Sequence, residues 1–153
     1  MQLPQRPLTA GGVVTEVVMI LDERVLESII AKKLNDLRDA VLYEARKNID
    51  EMGITDEGTL KKAVIMYDVS PTEKHLVFTA DYAACIEWGT RPHSVSKEGK
   101  ERIAGWASRK LGLSEEEAKN AAYAISWKIW WEGSQPKPWL RSAIAKVAAT
   151  FKY

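Results

Sequence analysis

Few side chains in this 153-residue chain are of the types that do acid-base, nucleophilic or metal chemistry. It has two histidines, His75 and His93, and one cysteine, Cys85. A metal needs clustered ligands, and an acid-base site needs a base within reach of the group it serves. Neither histidine has such company: His75 alternates outward in a strand-like run and His93 falls in a turn. No His-Glu-x-x-His, Cys-x-x-Cys or Gly-x-Ser-x-Gly spacing accompanies them. Cys85 stands among apolar residues, which reads as a buried, inert small hydrophobe. A lone cysteine excludes a disulfide framework within one chain and favours an intracellular folding compartment. The expectation is a protein that is not an enzyme and uses neither cofactor nor metal.

One charged group does call for a partner. Glu87 is the only acid between Tyr82 and Trp88 in the stretch Asp81-Tyr82-Ala83-Ala84-Cys85-Ile86-Glu87-Trp88-Gly89-Thr90-Arg91-Pro92-His93. A carboxylate in apolar surroundings needs a counter-ion, and the guanidinium fork is the strong one. Arg91 or Arg141, on this chain or on a neighbouring copy, supplies it. The pair reads equally as a local salt bridge that fixes a turn or as a contact between subunits. Gly89 is expected at positive φ, reversing the chain so that Thr90 and Arg91 lie over the beginning of the last helix. Pro138 would sit in that helix's first turn and Trp139 would plug the junction below.

The elements that must position this junction are legible in part. Residues 1–12, with Pro4, Pro7 and Gly11-Gly12, read as an extended arm expected to dock on a neighbouring subunit or on a partner protein. Val13 to Leu21 is rich in β-branched residues and reads as a strand. Asp22 supplies an N-cap, and Leu26, Ile30, Leu34, Leu37, Val41, Ala45 and Ile49 mark one stripe of a helix of about 40 Å, closed at Gly53. Lys61 to Val69 and Lys74 to Ala80 alternate as strands around Ser70-Pro71-Thr72-Glu73, a hairpin. Tyr82 to Trp88 fits either period, with a short helix preferred. A helix follows from Lys97, striped by Ile103, Trp106, Ala107 and Leu111 and closed at Gly112. Ser114 and Glu117 form a capping box for the next. Leu140, Ile144, Val147, Ala148 and Phe151 stripe the last helix.

The second of these C-terminal helices is apolar nearly all round, with Ala118, Ala122, Ile125 and Ile129 on one side and Tyr123, Trp127, Trp130 and Trp131 on another. Such a helix should be covered on two sides. Trp106 and Trp139 read as core. Trp127, Trp130 and Trp131 divide evenly between core and subunit interface, because one short helix rarely buries three tryptophans and an aliphatic face in so small a protein.

Lysine plus arginine total 22 against 21 acids, so the basic excess that phosphate binding needs is missing. No apolar run approaches the ~20 residues of a membrane helix, and the N-terminus lacks a signal core, so no membrane is expected. The fold class that results is α+β: an arm over 1–12, then one domain over 13–153. That domain is a small, mainly antiparallel sheet with a β-hairpin, packed by a long N-terminal helix and a C-terminal helical cluster. Residues 94–136 form a helical, insertion-like subregion.

Tyr82-Ala83 followed by Ile86-Glu87-Trp88-Gly89-Thr90, with Pro138-Trp139-Leu140-Arg141 and Ala143 downstream, resembles the tail-completion (minor tail, head-tail joining, neck) family of long-tailed bacteriophages. That family reads Tyr-Ala, two spacers, Glu, an aromatic and Gly-Thr, then Pro-Phe-Leu-Arg leading into the last helix. Thr55-Asp56-Glu57-Gly58-Thr59-Leu60 resembles its Thr-Gly-x-Leu element with altered spacing. The resemblance covers roughly residues 15 to 150, with edges good to a few residues. It implies a structural virion protein, made in the host cytoplasm, that forms a homo-oligomeric, hexameric ring at the head-proximal end of the tail. Its partners would be copies of itself, the tail tube or tail terminator protein and the head connector protein, with DNA passing through the lumen. On this reading Glu87, Trp88, Gly89, Thr90, Arg91, Pro138, Trp139 and Arg141 form a structural junction or subunit interface, and Trp127, Trp130 and Trp131 an assembly surface. The alternative is a DNA-binding module using the helix-turn-helix-like segment 99–131, against which Glu115, Glu116 and Glu117 would repel phosphates.

Overall fold

A computed structural model describes residues 22–54 and 57–152. The expected arm over 1–12, the expected strand from Val13 to Leu21 and the Thr55-Asp56 part of the Thr-Gly-x-Leu element lie outside the described residues. The fold is α+β as expected: helix α1 (Glu23–Glu51), the short α2 (Thr59–Lys62), strands β1 (Val64–Ser70) and β2 (Glu73–Phe78), then α3 (Ala83–Trp88), α4 (Lys97–Leu111), α5 (Glu115–Glu132) and α6 (Trp139–Thr150).

α1 begins where its cap predicts: the Asp22 carboxylate accepts from the Arg24 N–H at 2.8 Å. It ends through Met52 and a left-handed Gly53. Its buried residues, Leu42, Ala45 and Ile49, all lie in the C-terminal half, while Leu26 at the head of the expected stripe is exposed. α6 and β2 pack along α1, and a stripe is buried only as far as its neighbours reach.

The β-strands form one antiparallel hairpin, with Tyr67 opposite His75 and Ile65 opposite Val77. Lys61 and Lys62, expected in the first strand, instead close α2, which turns Leu60 into the core. Asp68 anchors the hairpin to α1 through Arg38 at 2.9 Å and also accepts from Lys74. The Lys74 ammonium, then Arg38, holds the Asp68 carboxyl below the usual carboxylate range.

The core gathers Ala45, Ile49, Leu60, Trp139 and Ala143, with Phe78 edge-to-face on Trp139 at 4.7 Å. α6 reaches it with Trp139, Ala143 and Val147, four residues apart on one line. The expected stripe had the right helix and the wrong face in part, since Ile144 is exposed. The small Ala143 and compact Val147 let α6 lie close along α1, and Lys146 closes that contact on Glu44 at 2.6 Å. α4 and α5 pack mainly on each other.

Candidate functional site

α3 is a helix of six residues, which places Ile86 toward the core and Glu87 beside it. Glu87 is 5 % exposed. Across from it α6 starts after Pro138, a residue with no side-chain oxygen to cap a helix. The first-turn N–H groups of α6 therefore need an acceptor from elsewhere. Glu87 is that acceptor. One oxygen, Oε2, accepts from the Leu140 N–H at 2.9 Å, and Oε1 accepts from the Arg141 N–H at 3.0 Å. Arg141 Nε donates to the same Oε1 at 2.8 Å, and Arg141 Nη2 donates to the Glu87 carbonyl at 3.2 Å. The carboxylate thus sits at the positive end of the α6 dipole, facing two N–H groups and a guanidinium.

Arg141 is therefore the counter-ion, and Arg91 is not. Arg91 is exposed, and its carbonyl accepts from His93 Nδ1 at 2.8 Å. Arg91 is the nearer of the two expected partners in sequence, but the chain reverses at Gly89 and carries it away from Glu87. The Arg141 guanidinium also lies over the Trp88 ring, 3.8 Å from the centroid, which covers one face of an otherwise exposed tryptophan. Pro138 is the N-cap itself rather than a first-turn residue, and the Ser142 hydroxyl donates to its carbonyl.

The reversal at Gly89 has a counterpart. Gly89 (φ 71°, ψ −176°) and Gly133 (φ 76°, ψ −164°) both hold a conformation nearly reserved for glycine. A Cβ on Gly89 would stand 2.4 Å from the Ser134 carbonyl oxygen, and one on Gly133 would stand 2.0 Å from that of Thr90. Between them Thr90 and Ser134 exchange backbone hydrogen bonds of 3.1 Å each way, and their hydroxyls lie 2.9 Å apart. Thr90 thus pairs with the link that precedes α6 rather than lying over α6. This two-strand neck is where the α4–α5 hairpin leaves and rejoins the body. Its signal was present in the sequence as two glycine-hydroxyl dipeptides, Gly89-Thr90 and Gly133-Ser134, bracketing the α4–α5 hairpin.

Asn48 was also missed. Its Nδ2 donates to the Trp139 carbonyl at 2.8 Å and to Ser142 Oγ at 3.1 Å, tying α1 to the first turn of α6. A polar residue between Ala45 and Ile49 on a buried stripe was the available clue. Trp139 is 1 % exposed, as expected of a plug. Cys85, expected to be buried, is exposed, because a helix this short covers only one face.

The α4–α5 hairpin is built from expected caps. Ser114 and Glu117 form the capping box, and hydrogen bonds from the Ser114 side chain and backbone hold the Glu117 carboxyl below its ordinary range. Lys119 does the same for Glu115. The interior of this hairpin is small-residue packing, with Ala107, Ala118, Ala122 and Ser126 buried. The opposite face of α5 is open among the described residues, contrary to the expected two-sided cover. Tyr123, Trp127 and Trp130 are each about half exposed and Trp131 is 73 % exposed. Their rings interlock, Tyr123 on Trp127 at 6.3 Å, Trp127 on Trp130 at 5.2 Å, and Trp130 on Trp131 at 5.9 Å.

Chemically, the junction fastens and the aromatic face presents apolar surface. No group of three or more His, Cys, Asp or Glu side chains placed to hold a metal occurs among the described residues. No protein-family model, no curated protein and no solved structure matches the chain.

Proposed function

We propose that this chain is a structural assembly protein of a phage tail. Copies of it close into a ring, six by the resemblance, at the head-proximal end of the tail, completing the tube and joining it to the head connector while DNA passes through the lumen. The observation that carries the assembly reading is the open aromatic face of α5. Contiguous exposed apolar surface rimmed by polar groups marks an interaction site, and tryptophan and tyrosine are enriched at the centres of such sites. The Gly89–Gly133 neck supports the same reading, because a surface that must meet partners at a fixed angle needs a stiff mount. The residues that carry the family resemblance, Glu87, Gly89, Thr90, Pro138 and Arg141, are those that build the fastening. A contact that joins one patch to a different patch on the next copy closes into a ring when its rotation fits.

The DNA-binding alternative is disfavoured by the first turn of α5. Glu115, Glu116 and Glu117 stand where a recognition helix would meet phosphates, and Glu117 is already engaged in its capping box. The test is native mass over a range of concentrations, alone and with the tail tube protein. A discrete multiple of 17.2 kDa is expected. A monomer under every condition would overturn the ring, and duplex binding that weakens steeply with salt would replace it with the DNA-binding module.

A further inference from the structure

The aromatic face is more than a flat patch. Tyr123, Trp127 and Trp130 form one wall of a groove of about 240 Å³, with Ser94, Val95 and Lys100 on the other side. A groove lined by aromatic rings that carry hydroxyl and indole N–H donors suits one ligand conformation in particular. A polyproline II strand has no internal hydrogen bonds, so its carbonyls are free to accept, and its proline rings pack between aromatic side chains.

The chain contains a proline spacing that favours this conformation. Leu3-Pro4-Gln5-Arg6-Pro7-Leu8 lies in its N-terminal segment, outside the described residues. We propose that the α5 groove takes this segment from a neighbouring copy, a contact that rests on the ring reading and supplies its head-to-tail joint. The spacing agrees. Two prolines three residues apart fall on one edge of a polyproline II strand about 9 Å apart. Tyr123 and Trp130, seven residues apart on α5, are separated by about 10 Å along the helix, with Trp127 between them. With the segment so bound, Arg6 would fall on a different edge, within reach of Trp131, the most exposed of the rings. The molecule already uses this pairing, in Arg141 over Trp88 at 3.8 Å. Every copy offers one arm and one groove, so the ligand is present at the stoichiometry that a closed ring needs, and no foreign proline-rich partner is required.

The test uses the full chain carrying Pro4→Ala and Pro7→Ala, so that its own arm does not compete, and a synthetic peptide of residues 1–12 as probe. The peptide should shift tryptophan emission saturably. Trp130→Ala in the same chain should weaken the peptide at least tenfold, whereas Tyr43→Ala, on an exposed ring of α1, should leave it unchanged. In a mixture of isotope-labelled and unlabelled wild-type copies, an amine-reactive linker should join the Met1 amine to Lys100 between copies. No saturable binding, equal binding by the Trp130→Ala chain, or links only within a copy would each overturn the inference. A ring that forms equally well from the Pro4→Ala, Pro7→Ala chain sinks the arm contact and leaves the ring reading standing. A wild-type chain that stays monomeric with its tail partner sinks both.

Discussion

The α3–α6 junction and the α4–α5 hairpin are both anchored by tryptophan, and they use it in opposite ways. At the junction the largest side chain points inward, Trp139 at 1 % exposure, and the surrounding polar groups are paired around it. In α5 the order is inverted. Alanines and a serine face α4, while one tyrosine and three tryptophans face outward. A chain under pressure only to fold would gain more by burying the tryptophans, since burial scales with apolar area. α5 leaves that gain unused among the described residues. The contrast separates a region whose apolar contacts are complete among the described residues from one whose aromatic face is left open.

The largest effect should fall on the complete region. Trp139→Ala removes the plug between Phe78 and α1 and should cost about 3–5 kcal/mol in denaturant unfolding. Trp139→Phe keeps a ring against Phe78 and removes an indole N–H that has no hydrogen-bond partner among the described residues. It should cost under about 1.5 kcal/mol. A similar loss in both variants would mean that the indole, and not the ring, holds the junction.

Glu87→Gln comes next. The amide keeps one acceptor oxygen but turns an NH2 group toward the N–H donors of α6 and leaves Arg141 without its counter-ion, a loss of about 2–3 kcal/mol. Ring formation should suffer far more than from Glu73→Gln at the hairpin turn, where a largely exposed carboxylate meets His75. Equal effects of the two would remove Glu87 from its role as fastening.

The paired change Trp130→Ala and Trp131→Ala sharpens the comparison most. Both rings are exposed, so unfolding should move by no more than about 0.5 kcal/mol. Association should lose about 2 kcal/mol or more, read as a shift of the oligomer to higher concentration. Unfolding losses like those of Trp139→Ala would place the stripe in the fold and erase the contrast.

The smallest effect is a pH dependence confined to the hairpin. Glu117 titrates below its ordinary range because Ser114 bonds its charged form. Its contribution is therefore complete above the ordinary glutamate value and is lost as pH falls through the lowered folded value. Protection of the first-turn amides of α5, relative to their intrinsic exchange at each pH, should fall in that window, and Glu117→Gln should reduce the change to the part that Glu115 contributes. Exchange followed in parallel at Leu140 and Arg141, whose N–H groups meet Glu87, distinguishes a change local to the hairpin from one shared with the junction.

Local chemistry made much of this protein legible in advance. Asp22 before an apolar stripe, Ser114 with Glu117, and Gly53 and Gly112 after the last helical turn announce helix ends, because a cap is satisfied by residues within one turn. The hairpin and the positive φ of Gly89 follow from the same short-range logic. Glu87 stood out as a carboxylate that needs a partner, and its apolar neighbours sufficed to show it. What the chain could not announce was which donors meet it. Leu140 and Arg141 lie more than fifty residues away, and only the packing of α6 on α1 brings their N–H groups to Glu87 and carries Arg91 off. The face of α6 that is buried, the pairing of Thr90 with Ser134 and the outward turn of the α5 tryptophans were decided likewise. Each depends on which neighbour arrives, and periodicity fixes the faces of a helix without saying which of them will be covered.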